Sequence, residues 1–311
     1  MLLHILAFIF FILCFLTGMT WLRTGLFNIA NTKIKSVLHY LTNTATKGVF
    51  TGTIVTALIH SSSAVMVLTV GLASSGLIPF RQTIGIMLGT NIGTTFTLEM
   101  FTLNMNYLII PSMVLGVIMY ALPSPTLKST AFICIGFGLI FTSIQAIQWL
   151  ATPLTKHESL RSYILEVNEH LFLALFIGCI LTATIQSSTV VTGVTMGFLA
   201  ANSIDLDAGI AIMLGANIGT CITAFIASIG GGNEAKLTAY AHIWLNVLGV
   251  LFFLPLIPIL RSVVQSLAHS PDLQLAHASV IFNILCSLLV LPFAHSFARF
   301  IENLHLPKKA E

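Results

Sequence analysis

Apolar residues run along this chain in blocks of about 20, the length a helix needs to cross a bilayer. Seven such blocks predict crossings over 3–20, 82–103, 107–122, 129–150, 207–229, 237–259 and 276–299. Two further apolar stretches, 48–79 and 171–204, are interrupted near the middle by polar clusters, Ser61-Ser62-Ser63 and Gln186-Ser187-Ser188-Thr189. Polar, non-helical backbone at membrane depth is tolerated only where protein or a wet cavity covers it, so each stretch reads as a re-entrant helical hairpin whose tip faces an interior site. The pattern predicts an all-α polytopic membrane protein with inverted structural repeats, two re-entrant helical hairpins and broken transmembrane helices.

The repeat can be counted. Sliding the chain by 126 residues lays 56–97 over 182–223 without a gap, with 19 of 42 positions identical. Ser61-Ser62 falls on Ser187-Ser188, and Asn91-Ile92-Gly93-Thr94 on Asn217-Ile218-Gly219-Thr220. Residues 1–125 then form a first repeat, containing a span, the hairpin 48–79, a broken helix 82–103 and the span 107–122. Residues 126–311 form a second, containing a span, the hairpin 171–204, a broken helix 207–229 and two further spans. If the hairpins do not cross, three crossings separate equivalent points, and an odd number inverts one copy relative to the other. Charge gives an independent check, because cytoplasmic loops collect Lys and Arg. One side receives Arg23, Lys33, Lys35, Lys47, Arg81, Lys128, Lys236, Arg299, Lys308 and Lys309, the other Lys156, Arg161 and Arg261. Ten against three places the chain in the cell membrane with its N-terminus outside and its C-terminus in the cytoplasm. Asn246 and Pro255 have the same spacing as Asn283 and Pro292, which suggests a related helix pair.

Composition narrows the class. With 56% hydrophobic and 7% charged residues, the chain cannot dress a water-facing surface in the usual way, and lipid is its solvent. The first apolar block has no basic leader or small-residue cleavage site and reads as a span. The net charge of +3 is spread over the ends of apolar runs, which argues against nucleic acid. Five cysteines stand singly in apolar segments, suggesting neither disulfides nor a zinc site.

The hairpin tips carry the candidate chemistry. A helix start offers unpaired N–H groups and the positive end of the helix dipole, an anion site without a formal charge. Hydroxyl, amide and freed carbonyl oxygens at Gly89-Thr90-Asn91 and Gly215-Ala216-Asn217 suit a hard cation, if the flanking glycines let the helix unwind there. Small residues also serve close helix packing in membranes, but both motifs occur twice at one offset. Broken helices at matching positions of two inverted halves point to a transporter site.

The chain resembles the sodium/phosphate cotransporter family, whose repeats carry a Q-S-S-S motif followed by G-[AST]-N-I-G-T-[TS]. Here these stand as His60-Ser61-Ser62-Ser63 with Gly89-Thr90-Asn91-Ile92-Gly93-Thr94-Thr95, and as Gln186-Ser187-Ser188-Thr189 with Gly215-Ala216-Asn217-Ile218-Gly219-Thr220-Cys221. The likeness also covers Ala241, His242 and Asn246. It implies phosphate binding by Ser61, Ser62, Ser63, Gln186, Ser187, Ser188 and Thr189, and sodium binding by Asn91, Thr94, Thr95, Asn217, Thr220 and Gln186. Arg81 matches an arginine between the motifs of animal members; it is either a phosphate-side cation or a cytoplasmic topology charge. Cys221, in place of Thr or Ser, offers only a weak donor and acceptor. His60 replaces the first motif's Gln and is either a pH sensor or a neutral hydrogen-bond donor.

The function implied is sodium-coupled symport of inorganic phosphate by alternating access, with Na+ as the coupling ion, no cofactor, and phosphate, sodium and the lipid bilayer as partners. A passive anion channel and a sodium-coupled carrier of another oxyanion are the rival readings. An enzyme is disfavoured, since Ser61, His60 and His242 lack a buried Asp to orient a base. No G-x-x-x-x-G-K-[ST] motif is present for ATP-driven pumping. Glu99 is the one carboxylate well inside a predicted span, and reads as a coupling-ion ligand or an interfacial residue.

Overall fold

The structure, a computed structural model, describes residues 2–306 and is helical throughout them, without strands. In chain order the helices are α1 (Leu2–Tyr40), α2 (Ala45–Ile59), α3 (Ser62–Ser74), α4 (Phe80–Phe101), α5 (Asn106–Tyr120), α6 (Pro125–Thr155) and α7 (Glu158–Glu169). They continue as α8 (Leu171–Ile185), α9 (Ser188–Ala200), α10 (Leu206–Ser228), α11 (Asn233–Phe253), α12 (Ile257–Leu267), α13 (Pro271–Val290) and α14 (Ala294–His305). Five described helical stretches are long and apolar enough to cross a membrane: Leu2–Ala30, Pro125–Thr155, Leu206–Ser228, Asn233–Leu267 and Pro271–His305. The count rises to seven if two bent pairs each make a span, α4 with α5 at 104° and the end of α7 with α8 at 110°.

Several expected boundaries move. The first block continues as one helix well past residue 20, because apolar residues recur through Trp21, Leu22, Leu26, Phe27 and Ile29 on either side of Arg23. Arg23 is therefore an internal helix residue and not a loop charge. Lys308 and Lys309 lie outside the described residues, as do the side chains of Lys33 and Lys35. The amphipathic α7 fills a stretch for which no element was expected.

The larger correction concerns the broken helices. Both α4 and α10 run as uninterrupted α-helix through Gly89-Thr90-Asn91 and Gly215-Ala216-Asn217. Their glycines provide close approach, not unwinding. In the first unit α2 lies along α4, and a methyl group on Gly89 would strike the Val49 carbonyl, while one on Gly93 would sit 2.6 Å from the Thr53 carbonyl. In the second unit α8 lies along α10, and a methyl on Gly215 or Gly219 would strike the carbonyls of Leu175 or Cys179. Gly85, Gly89 and Gly93 recur every fourth residue, which lines them on one helix face for such a contact.

The two units agree in backbone detail. Gly76 and Asn202, related by the 126-residue offset, both have positive φ, 71° and 52°, just beyond α3 and α9. Arg81 and Asp207, also equivalent, start α4 and α10 and carry opposite charges. Arg81 pairs with Glu302 of α14 at 2.8 Å, and Asp207 with Arg261 of α12 at 2.7 Å. The spacing shared by Asn246/Pro255 and Asn283/Pro292 marks a real likeness: α11 and α13 each end in a proline-containing 3-10 turn, Leu254–Leu256 and Leu291–Phe293, followed by the amphipathic α12 or α14.

Candidate functional site

Each serine-rich cluster is a two-residue break between helices. His60 adopts the left-handed conformation (φ 56°, ψ 33°) and ends α2, and Ser61 is extended (φ −153°, ψ 97°) and opens α3. Gln186 (φ 60°, ψ 29°) and Ser187 (φ −151°, ψ 103°) do the same between α8 and α9. The hydroxyls of Ser61 and Ser187 cap the new helices, accepting from the N–H groups of Ala64 at 3.2 Å and Val190 at 3.4 Å. A left-handed residue with a Cβ costs about 1–2 kcal/mol, and both units sustain it at the same position. This geometry leaves the first N–H groups of α3 and α9, on Ser62, Ser63, Ser188 and Thr189, without intrahelical acceptors.

The two breaks touch. Ser63 Oγ donates to the carbonyl of Gln186 at 3.4 Å. Arg23, from α1, donates through Nε to the carbonyl of His60 at 2.8 Å and through Nη2 to Ser187 Oγ at 3.2 Å. The carbonyl freed at each left-handed residue is thus taken up, one by Arg23 and one by Ser63. The His60 ring turns onto α4, its Nδ1 lying 2.9 Å from Thr97 Oγ1. Gln186 has an exposed side chain.

Of the residues expected to hold a cation, Asn91 donates to Asn246 Oδ1 at 3.2 Å, and Asn217 to the Met213 carbonyl at 2.9 Å. Thr94, Thr95 and Thr220 donate their hydroxyl protons to the carbonyls of Thr90, Ile92 and Ala216 on their own helices. Their oxygens keep lone pairs for a further contact. Cys221 donates to the His242 carbonyl and receives Asn246 Nδ2, each at 3.4 Å. Asn246 therefore joins Asn91 of the first unit to Cys221 of the second.

Two expected residues, Arg81 and Glu99, stand elsewhere. Arg81 is half-exposed and engaged by Glu302, so it is not brought to the breaks. Glu99 pairs with His277 of α13 at 2.8 Å. Asp205 precedes α10, its N–H donating to Asn168.

Two features escaped the sequence. Arg23 is one. The other is the pair of buried hydroxyls of Thr56 and Thr182, equivalent in the repeat, which have no hydrogen-bond partner among the described residues; nor has that of Thr223. Thr56 and Thr182 pack where Gly93 and Gly219 lack a side chain. Their signal was present in the Thr-Ala pair that opens both repeat copies. An apolar hollow of about 360 Å³ beside α9, lined by Phe8, Ile185, Val190, Val194 and Phe198 among others, has almost no polar surface and suits no anion.

Comparison with known proteins agrees with the motifs. A family profile described as "Na+/Pi-cotransporter" matches residues 14–149 and 152–269. The chain is 39% identical over 305 residues to the "Uncharacterized protein YqeW" of Bacillus subtilis, covering 98% of this chain and 99% of that one. It is 23% identical over 283 residues to the "Putative inorganic phosphate export protein YjbB" of Escherichia coli, covering 91% of this chain and 52% of the relative. It is 31% identical over 128 residues to the "Sodium-dependent phosphate transport protein 2C" of Rattus norvegicus, covering 40% of this chain and 21% of the relative. The chain thus spans about half of the YjbB protein, and no solved structure matches it.

Proposed function

We propose, for a chain that belongs to the Na+/Pi-cotransporter family, that it carries inorganic phosphate across the cell membrane together with sodium, and that phosphate sits where the two helix breaks meet. The observation that carries this reading is the contact between the breaks, Ser63 to the Gln186 carbonyl. It brings two helix starts to one place, each with free N–H groups, hydroxyls and a positive dipole end, and those are the groups a phosphate needs. The phosphate-binding set is Ser61, Ser62, Ser63, Gln186, Ser187, Ser188 and Thr189. Arg81, held by Glu302, is left out of it.

Sodium is assigned to the oxygens of Asn91, Thr94, Thr95, Asn217, Thr220 and Gln186, and the unpartnered hydroxyls of Thr56 and Thr182 add two buried oxygens beside them. A hard cation there would lower the cost of bringing a multiply charged anion to the middle of the membrane. The two helix–break–helix units are taken to be re-entrant and oppositely oriented, with the N-terminus outside and the C-terminus cytoplasmic. Their meeting at the tips supports entry from opposite faces, and inverted repeats supply two equivalent gates for alternating access. A coupled carrier runs with the combined gradients, so one protein can serve uptake or export as conditions dictate.

The test is radiolabelled phosphate uptake into proteoliposomes under an inward sodium gradient, with matched potassium controls. Sodium-dependent accumulation, abolished by Ser62→Ala with Ser188→Ala, is the expected result. Phosphate flux that persists without a sodium gradient would replace the carrier with a passive channel, and sodium-driven uptake of a different oxyanion would reassign the cargo.

A further inference from the structure

We infer, resting on the phosphate reading above, that Arg23 is the fixed counter-charge of the transported anion. Arg23 lies in the membrane-crossing stretch Leu2–Ala30, partly buried, and forms no ion pair with a carboxylate among the described residues. An intramembrane charge is costly and normally finds a partner or a substrate. Its two hydrogen bonds are to neutral acceptors, one on each break, which places the guanidinium between the two helix starts. Of its five N–H donors these bonds use two, and a planar fork with donors to spare matches the geometry of a phosphate oxygen pair. The bond to Ser187 Oγ, at 3.2 Å, is the weaker of the two and the one an anion would displace, leaving the shorter bond to His60 as the anchor.

The charge is single. At the same 126-residue offset the second unit has Trp149, an exposed indole, in place of Arg23. Hydroxyls and helix starts come in pairs, but the cation does not, so the two breaks share one anion between them. Two helix dipoles supply only partial charge; the guanidinium sets a full positive charge between them.

The experiment compares wild type with Arg23→Gln and Arg23→Lys in the same proteoliposome assay, alongside thermal melting of each protein without phosphate. Gln can still donate to the His60 carbonyl, so Arg23→Gln removes the charge while keeping the anchoring bond. The expected result is an apparent phosphate affinity weakened about 100-fold in Arg23→Gln and about tenfold in Arg23→Lys, which keeps the charge but loses the fork. If Arg23 only braces the fold, maximal rate and melting temperature fall while affinity stays as in wild type, and the inference is overturned. Should Arg23→Gln not fold, Arg23→Lys decides: unchanged affinity in a stably folded Lys variant overturns the proposal too. A wild type that moves no phosphate sinks the functional reading itself, whereas phosphate transport indifferent to Arg23 sinks only the counter-charge.

Discussion

His60 and Gln186 occupy the same left-handed backbone position with different side chains, and each passes its carbonyl to a donor from outside its own helix pair. What the position demands is the conformation and the exposed carbonyl, so His60→Gln should fold and transport phosphate. If His60 also senses pH, wild-type uptake departs from the curve set by phosphate's own titration, and the His60→Gln curve does not. Superimposable pH profiles would end that role for His60. The serine clusters were legible in the sequence because hydroxyls inside apolar runs are conspicuous and occur twice. Arg23 was not, because its partners are a main-chain carbonyl 37 residues away and a hydroxyl 164 residues away. Cationic residues beside an apolar block ordinarily mark its end; the clue against that reading was the apolar pattern resuming beyond it.

Helix pairing explains why the Gly-x-Asn segments are continuous helix where the sequence suggests breaks. Glycine allows both unwinding and close packing, and only a partner helix decides between them. The partner in the first unit is α2, whose Gly48 and Gly52 face Gly85 and the Ile86 carbonyl of α4. In that groove the obstacle to a side chain is backbone, which cannot step aside. Gly89→Ala and Gly215→Ala should each destabilise the protein by about 1–3 kcal/mol, as overpacked contacts do, with a lower melting temperature as the readout. Melting temperatures equal to wild type would restore unwinding as the purpose of these glycines. The proline-ended helices carried a fainter signal, a shared spacing of Asn and Pro that revealed likeness but not the turn and amphipathic helix that follow.

Across the whole molecule, α4 and α10 are tethered by ion pairs of opposite polarity, Arg81 to Glu302 and Asp207 to Arg261. Both tie a core helix to an amphipathic helix, which makes them contacts that a moving core would have to keep or break. Arg81→Glu should slow transport with phosphate affinity unchanged, and Arg81→Glu with Glu302→Arg should recover the rate. A large affinity loss in Arg81→Gln would return Arg81 to the phosphate site. The repeat itself was readable from one sequence because its copies share spacing, whereas Arg81 finds its partner, Glu302, outside the repeated segment, and that pairing follows from the folded arrangement alone.

For the carrier proposed above, the lone guanidinium between otherwise matched breaks also bears on the state without substrate. Two identical halves would give inward- and outward-facing forms of equal energy and equal occupancy. Here both donors that cross between the breaks, the Arg23 guanidinium and the Ser63 hydroxyl, come from the first half, so the forms are not degenerate. A gap of about 1.4 kcal/mol suffices to populate one facing tenfold over the other. If the chain alternates access as proposed, it should have a preferred resting side, and its apparent affinity for substrate should differ between the two faces of the membrane even when the site itself is the same.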